Sequence, residues 1–221
     1  MSRVISIGIQ DFEQLILNKY FYVDKTGFIK EWWENGDIVT LITRPRRFGK
    51  TLAMDMVKCF FSIEYAKKRH LFQGLSVWKE ETYRCLQGTY PVIFLSFADV
   101  KDTSFSNARK KICQIIKDLY NRFDFLLEGN CLNDKEKAFF HKISYDMEDY
   151  AASTSLKALS RYLSQYYGKN VIILLDEYDT PLQEAYIHGY WQELMNFLRN
   201  LFNSTFKTNP YLERAIMTGI T

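Results

Sequence analysis

Residues 40–57 read TLITRPRRFGKTLAMDMV. An apolar, β-branched run (Ile38, Val39, Leu41, Ile42) turns at Arg44-Pro45, passes through Phe48-Gly49-Lys50-Thr51 and enters a segment with helical periodicity at Leu52, Met56 and Val57. A strand, a tight loop ending in Gly-Lys-Thr and a helix form the arrangement that cradles nucleotide phosphates. Loop amides and the positive end of the helix dipole converge there on an anion. Lys50 is then placed to reach the β- and γ-phosphates, and the Thr51 hydroxyl to ligate Mg²⁺. The pattern departs from the usual one at Arg44, which stands where a glycine normally lies. The resulting loop is more basic than a glycine-rich one and stiffer, since Pro45 fixes one φ angle.

Residues 171–179, VIILLDEYD, carry the second signal: five consecutive apolar residues, then Asp176 and Glu177. A run apolar on both faces suits a central strand of a parallel sheet covered by helices. Acids at the carboxyl end of such a strand lie where α/β sheets bind ligands. Asp176 is the expected Mg²⁺ partner, and Glu177 the group that orients and polarises an attacking water. The plainer alternative is a buried strand that ends in a solvated acidic turn. Residues 212–219, LERAIMTG, read as a further strand, with Thr218 the candidate for contact with a γ-phosphate or the attacking water and Thr221 its competitor; a simple Thr-Gly turn explains the pattern equally well.

Composition sets the outer bounds. The chain has 221 residues, enough for one sizeable core, with 47 % hydrophobic, 25 % charged and 16 % aromatic residues and a net charge of +3. That charge falls short of a dedicated nucleic-acid binder. The four cysteines (Cys59, Cys85, Cys113, Cys131) are far apart and form no metal-ligand spacing with His70, His141 or His188. They read as reduced thiols of a cytoplasmic protein. No cleavable leader is visible, and no apolar run is long enough to span a bilayer.

Along the chain, residues 1–36 form an N-terminal segment expected to pack on the core. It holds a short helix near Asp11–Asn18, an extended YFYVD and a helix near Thr26–Glu34 that ends at Asn35-Gly36. Residues 37–221 form the nucleotide core. Strand PVIFLSF (Pro91–Phe97) is followed by helical periodicity over 107–120. Residues 124–153 read as irregular apart from a helix near Asp134–Lys142. A helix is expected over Ser155–Tyr167 with Gly168 at its end, Thr180-Pro181 as an N-cap with proline at the first helical position, and a strongly amphipathic helix over 190–207. Alternating strands and helices give an α/β, three-layer P-loop sandwich with a mostly parallel sheet. The expected order is 1-4-3-2, the fifth strand of such folds missing, because Thr218 must lie between Lys50 and Asp176. That order leaves Ile38–Thr43 as an exposed apolar edge that invites self-association.

Together IGIQDFEQL, YFYVDKTGFI, RPRRFGKT, VIILLDEYDTP and AIMTGIT resemble the AAA-ATPase-like family of bacterial and archaeal P-loop proteins, over nearly the whole chain. The resemblance makes Arg44 typical of the family. It implies a nucleotide site of Arg46, Arg47, Phe48, Gly49, Lys50 and Thr51, with Asp176 and Glu177 at metal and water, and hence ATP and Mg²⁺ as ligands. It also implies that relatives commonly carry a restriction-endonuclease-like nuclease domain toward the C-terminus. The leading expectation is an ATP-binding, ATP-hydrolysing domain that regulates or drives an attached effector. A nucleotide-binding scaffold with little turnover is second. A nucleic-acid-binding accessory, its loop arginines on phosphodiesters, is third.

Overall fold

The computed structural model describes residues 4–45 and 47–220. Four parallel strands form one sheet in the order β1-β4-β3-β2: β1 is Val39–Thr43, β2 Val92–Ser96, β3 Val171–Asp176 and β4 Leu212–Gly219. The inserted position of β4 is that expected from the sequence. In register, Ile42 lies beside Thr218 and Ser96 beside Asp176, so the carboxyl ends of the strands line up along one edge.

Alternation along the buried strands divides the core between two faces. Ile93, Leu95, Val171, Ile173, Leu175 and Ala215 pack with α5 (Phe105–Asn121), α7 (Asp149–Tyr167) and α9 (Trp191–Phe202). On the opposite face Val92, Ile172, Leu174 and Ile216 pack with α1 (Phe12–Leu17), α2 (Gly27–Asn35) and α3 (Lys50–Phe61). Every residue of β3 is buried, as a strand covered by two helical layers requires. The helices α4 (Glu81–Leu86), α6 (Asp134–His141) and α8 (Thr180–His188) complete the chain order.

Specific bonds tie α1 to the phosphate-loop helix and α2 to the sheet. The Asp55 carboxylate of α3 accepts the Phe12 N–H at 2.8 Å and so caps the start of α1. On α2, the Trp32 indole donates to Thr40 Oγ1 at 3.1 Å, and the Trp32 carbonyl accepts from Arg214 at 3.2 Å. Aromatic packing fills the space between, with Phe12 stacked on Phe72 and Trp33 on Phe61. Among the described residues strand β1 pairs only with β4, and Ile38 and Leu41 are more than half exposed at the sheet edge.

Three local expectations are corrected. Helix α7 begins at Asp149, two turns before Ser155: its first turns bury only the small side chains Ala151 and Ala152, which make no visible apolar stripe. The helix expected over 190–207 is α-helical to Phe202 and then a π-turn over Asn203–Lys207. There the buried Thr205 hydroxyl bonds the Leu201 carbonyl at 2.7 Å, a side-chain contact that competes with regular backbone pairing. The N-cap of α8 is Asp179 rather than Thr180, and Pro181 falls in the second helical position.

Candidate functional site

The phosphate-type loop joins β1 to α3. Gly49 is the N-cap of α3 at φ 76°, a left-handed backbone that glycine adopts without cost, and Arg47 is held at φ 68°. Among the described residues no side chain caps the first amides of α3. They therefore remain available to an anion. The Lys50 ammonium folds over the loop and donates to the carbonyls of Arg44 (2.7 Å) and Pro45 (3.1 Å). The Thr51 hydroxyl makes no hydrogen bond among the described residues, and Phe48 is exposed. Arg46 and Thr221 lie outside the described residues.

A pocket of about 460 Å³ opens at this loop, lined by Thr43, Arg44, Phe48, Gly49, Lys50 and Thr218 together with residues of α2, α3 and β1. The sheet thus brings Thr218 to the same space as Lys50. A larger cavity of about 920 Å³ lies away from this loop, between α6, α7 and the segment that leads into β4.

Behind the loop, Thr218 and Asp176 meet at the tips of neighbouring strands. The Thr218 hydroxyl donates to Asp176 Oδ1 and accepts the Glu177 N–H at 3.2 Å. Asp176 is 1 % exposed, and its Oδ2 has no hydrogen-bond partner among the described residues. A buried carboxylate oxygen without a donor suits a cation or a cation-bound water. The orphaned oxygen is compatible with the metal-binding role expected of Asp176, and the Thr51 hydroxyl is likewise uncommitted among the described residues. Among the described residues no group of three His, Cys, Asp or Glu side chains could hold a metal. A site for Mg²⁺ shared with phosphate oxygens needs no such group.

Glu177 stands at φ 50°, left-handed for a residue with a side chain. Its Oε2 accepts from the Thr180 hydroxyl at 3.1 Å, which holds the carboxylate against the start of α8. The neighbouring Asp179 does a structural job. Its Oδ2 accepts the Ile220 N–H at 2.7 Å and the Gln183 amide at 2.8 Å, pinning the end of β4 to the β3–α8 turn. Gly219 lies in that contact, and a Cβ there would come within 2.7 Å of Tyr178 Cε1 and 2.8 Å of Asp179 Oδ1. Only glycine fits so close an approach.

Lys25 in YFYVDKTGFI is not singled out by any sequence motif for phosphate binding. It lies on the approach to α2 and also lines the loop pocket. The polar triad Asp24-Lys25-Thr26 inside an aromatic stretch was the available signal.

A strand–Gly-Lys-Thr–helix unit on a parallel 1-4-3-2 sheet defines a P-loop-like α/β sandwich. More narrowly, the chain belongs to the AAA-ATPase-like family: the family described as "Predicted AAA-ATPase" matches residues 6–221. Among curated proteins the chain is 28 % identical over 223 residues to the "Uncharacterized protein in vnfD 5'region" of Azotobacter chroococcum mcd 1. That alignment takes in 100 % of this chain and 38 % of the relative, so the chain spans well under half the relative's length. No solved structure matches. Among the described residues no helix is long and apolar enough to cross a membrane.

Proposed function

We propose that this chain is an ATP-binding, Mg²⁺-dependent ATP-hydrolysing domain whose nucleotide cycle regulates or drives an attached effector. The observation that carries the reading is the buried, half-satisfied Asp176 carboxylate, held by Thr218 on the strand edge that also bears the Lys50 loop. Family membership supports it.

In this reading the amides that open α3 bind the phosphates, and Lys50 exchanges its two carbonyl acceptors for phosphate oxygens. Arg47 and Phe48, exposed on the loop, flank the phosphates, and Arg46 joins the proposed nucleotide contacts on the strength of the family motif alone. Thr51 and Asp176 hold Mg²⁺, which when bound neutralises charge on the phosphates. Thr218 orients Asp176 and, through the Glu177 N–H, fixes the backbone from which Glu177 presents its carboxylate. Glu177 orients the attacking water and accepts its proton. The candidate effector in this proposal is the C-terminal nuclease domain that the family resemblance implies; the chain covers 38 % of its relative's length.

A second reading, a nucleotide-dependent scaffold with little turnover, draws on the bond between Glu177 and Thr180, which draws the carboxylate toward α8. Single-turnover hydrolysis of bound Mg-ATP separates the two. The catalytic reading expects measurable phosphate release by the parent protein, and Glu177→Gln that retains ATP binding but releases phosphate at least about tenfold more slowly. Equal rates in parent and variant would remove Glu177 from the chemistry. No release from the parent would favour the scaffold.

A further inference from the structure

We infer that Lys25 is a second phosphate-contacting cation of the nucleotide site, delivered by the segment that precedes α2; this rests on the nucleotide reading above. Its ammonium lies 3.9 Å from the position a Cβ would occupy on Gly49, the residue that opens α3. It lines the loop pocket with Arg44 and Lys50, and among the described residues no carboxylate lines that pocket.

The backbone on both sides of Lys25 is fixed. Asp24 accepts from the Thr26 N–H (2.9 Å), the Thr26 hydroxyl (2.6 Å), the Ser76 N–H (2.7 Å) and the Ser76 hydroxyl (2.5 Å). Thr26 is fully buried and accepts the Val77 N–H at 3.1 Å. The Lys25 N–H itself donates to the Tyr22 hydroxyl at 3.2 Å. Between these anchors only the Lys25 side chain is left exposed and unpaired among the described residues. Other lysines of the same face differ: Lys30 pairs with Glu80 at 2.6 Å and Lys68 with Glu13 at 2.7 Å.

An ammonium carried on a fixed backbone into a pocket with two further cations gains most when an anion lies among them. The polyphosphate of a nucleotide is the anion that the adjoining helix N-terminus already selects. Lys25 would thereby couple the N-terminal segment to occupancy of the loop.

The test is calorimetric titration of the purified protein with Mg-ATP and, separately, with inorganic tripolyphosphate. Lys25→Ala, Lys25→Arg and Lys50→Ala are compared with the parent, together with the melting temperature of each without ligand. Lys25→Ala should weaken both ligands about tenfold, the size of one hydrogen bond to a charged group. It should leave the unliganded melting temperature at or above the parent's, and Lys25→Arg should restore most of the affinity. Parent-like affinity in Lys25→Ala, with binding lost in Lys50→Ala, would overturn the role of Lys25 and leave the nucleotide reading intact. Weakened binding with a lowered melting temperature and no rescue by arginine would make Lys25 structural and equally overturn it. A parent that binds neither ligand would defeat the nucleotide reading, and the Lys25 contact with it.

Discussion

Glu177 sits in a left-handed backbone conformation that costs a residue with a Cβ about 1 kcal/mol or more. The turn is fixed on both sides, by Tyr178 N–H donating to the Thr218 carbonyl (3.0 Å) and Phe97 N–H donating to the Asp176 carbonyl (3.0 Å). The strain therefore persists in the fold. Comparing Glu177→Gly with Glu177→Ala isolates it, since both remove the carboxylate and its bond to Thr180. Denaturant unfolding should find the glycine variant more stable than the alanine variant by about 1 kcal/mol, with phosphate release impaired in both. Equal stabilities would mean that the turn relaxes without effort. Asp176-Glu177 could be picked out of the sequence because five apolar residues lead to two acids. The hydroxyl bond from Thr218 to Asp176 could not: the strand order is legible, but the bond depends on a one-residue register.

At the scale of elements, the Asp24 clamp predicts a pH dependence. Burial alone would raise the Asp24 carboxyl, but hydrogen bonds from Ser76 and Thr26 outweigh it and hold the group below its usual value. A carboxyl lowered in the folded state adds stability above its unfolded pKa, about 3.9, and that stability is lost as pH falls through the folded value. Asp24→Asn should therefore melt below the parent at neutral pH, with the gap narrowing below about pH 4. Thermal scans from pH 7 to pH 3 read this directly, and a gap independent of pH would assign the effect to shape rather than charge. The same clamp marks the reach of pattern reading. The amphipathic stripe of α9 and the Gly168 end of α7 are local signals and stand out in the sequence. The early start of α7 hides behind Ala151 and Ala152, whose burial needs no apolar stripe, and the π-turn after Phe202 depends on where Thr205 points. Asp24, Thr26 and Ser76 lie some fifty residues apart in part, and only the fold brings them together.

For the whole molecule, order 1-4-3-2 places β1 at an edge with Ile38, Val39 and Leu41 exposed at 56 %, 39 % and 52 %. An unpaired apolar edge of a parallel sheet is a template for another strand. Sedimentation analysis should show concentration-dependent self-association that Val39→Lys reduces; a monomer at all accessible concentrations would mean that the edge is protected. The proposed function rests on the opposite property of the sheet, the gathering of Lys50, Asp176 and Thr218 at its carboxyl ends. Titration of the protein with ATP in the presence of Mg²⁺ tests that most directly. Saturable binding is expected, with about 2.7 kcal/mol of added stability at a ligand concentration about 100 times the dissociation constant. Lys50→Ala should abolish both, and Cys113→Ala, in the buried core away from the loop, should keep both. No heat and no thermal shift at millimolar Mg-ATP, or undiminished binding by Lys50→Ala, would contradict a nucleotide site at this edge.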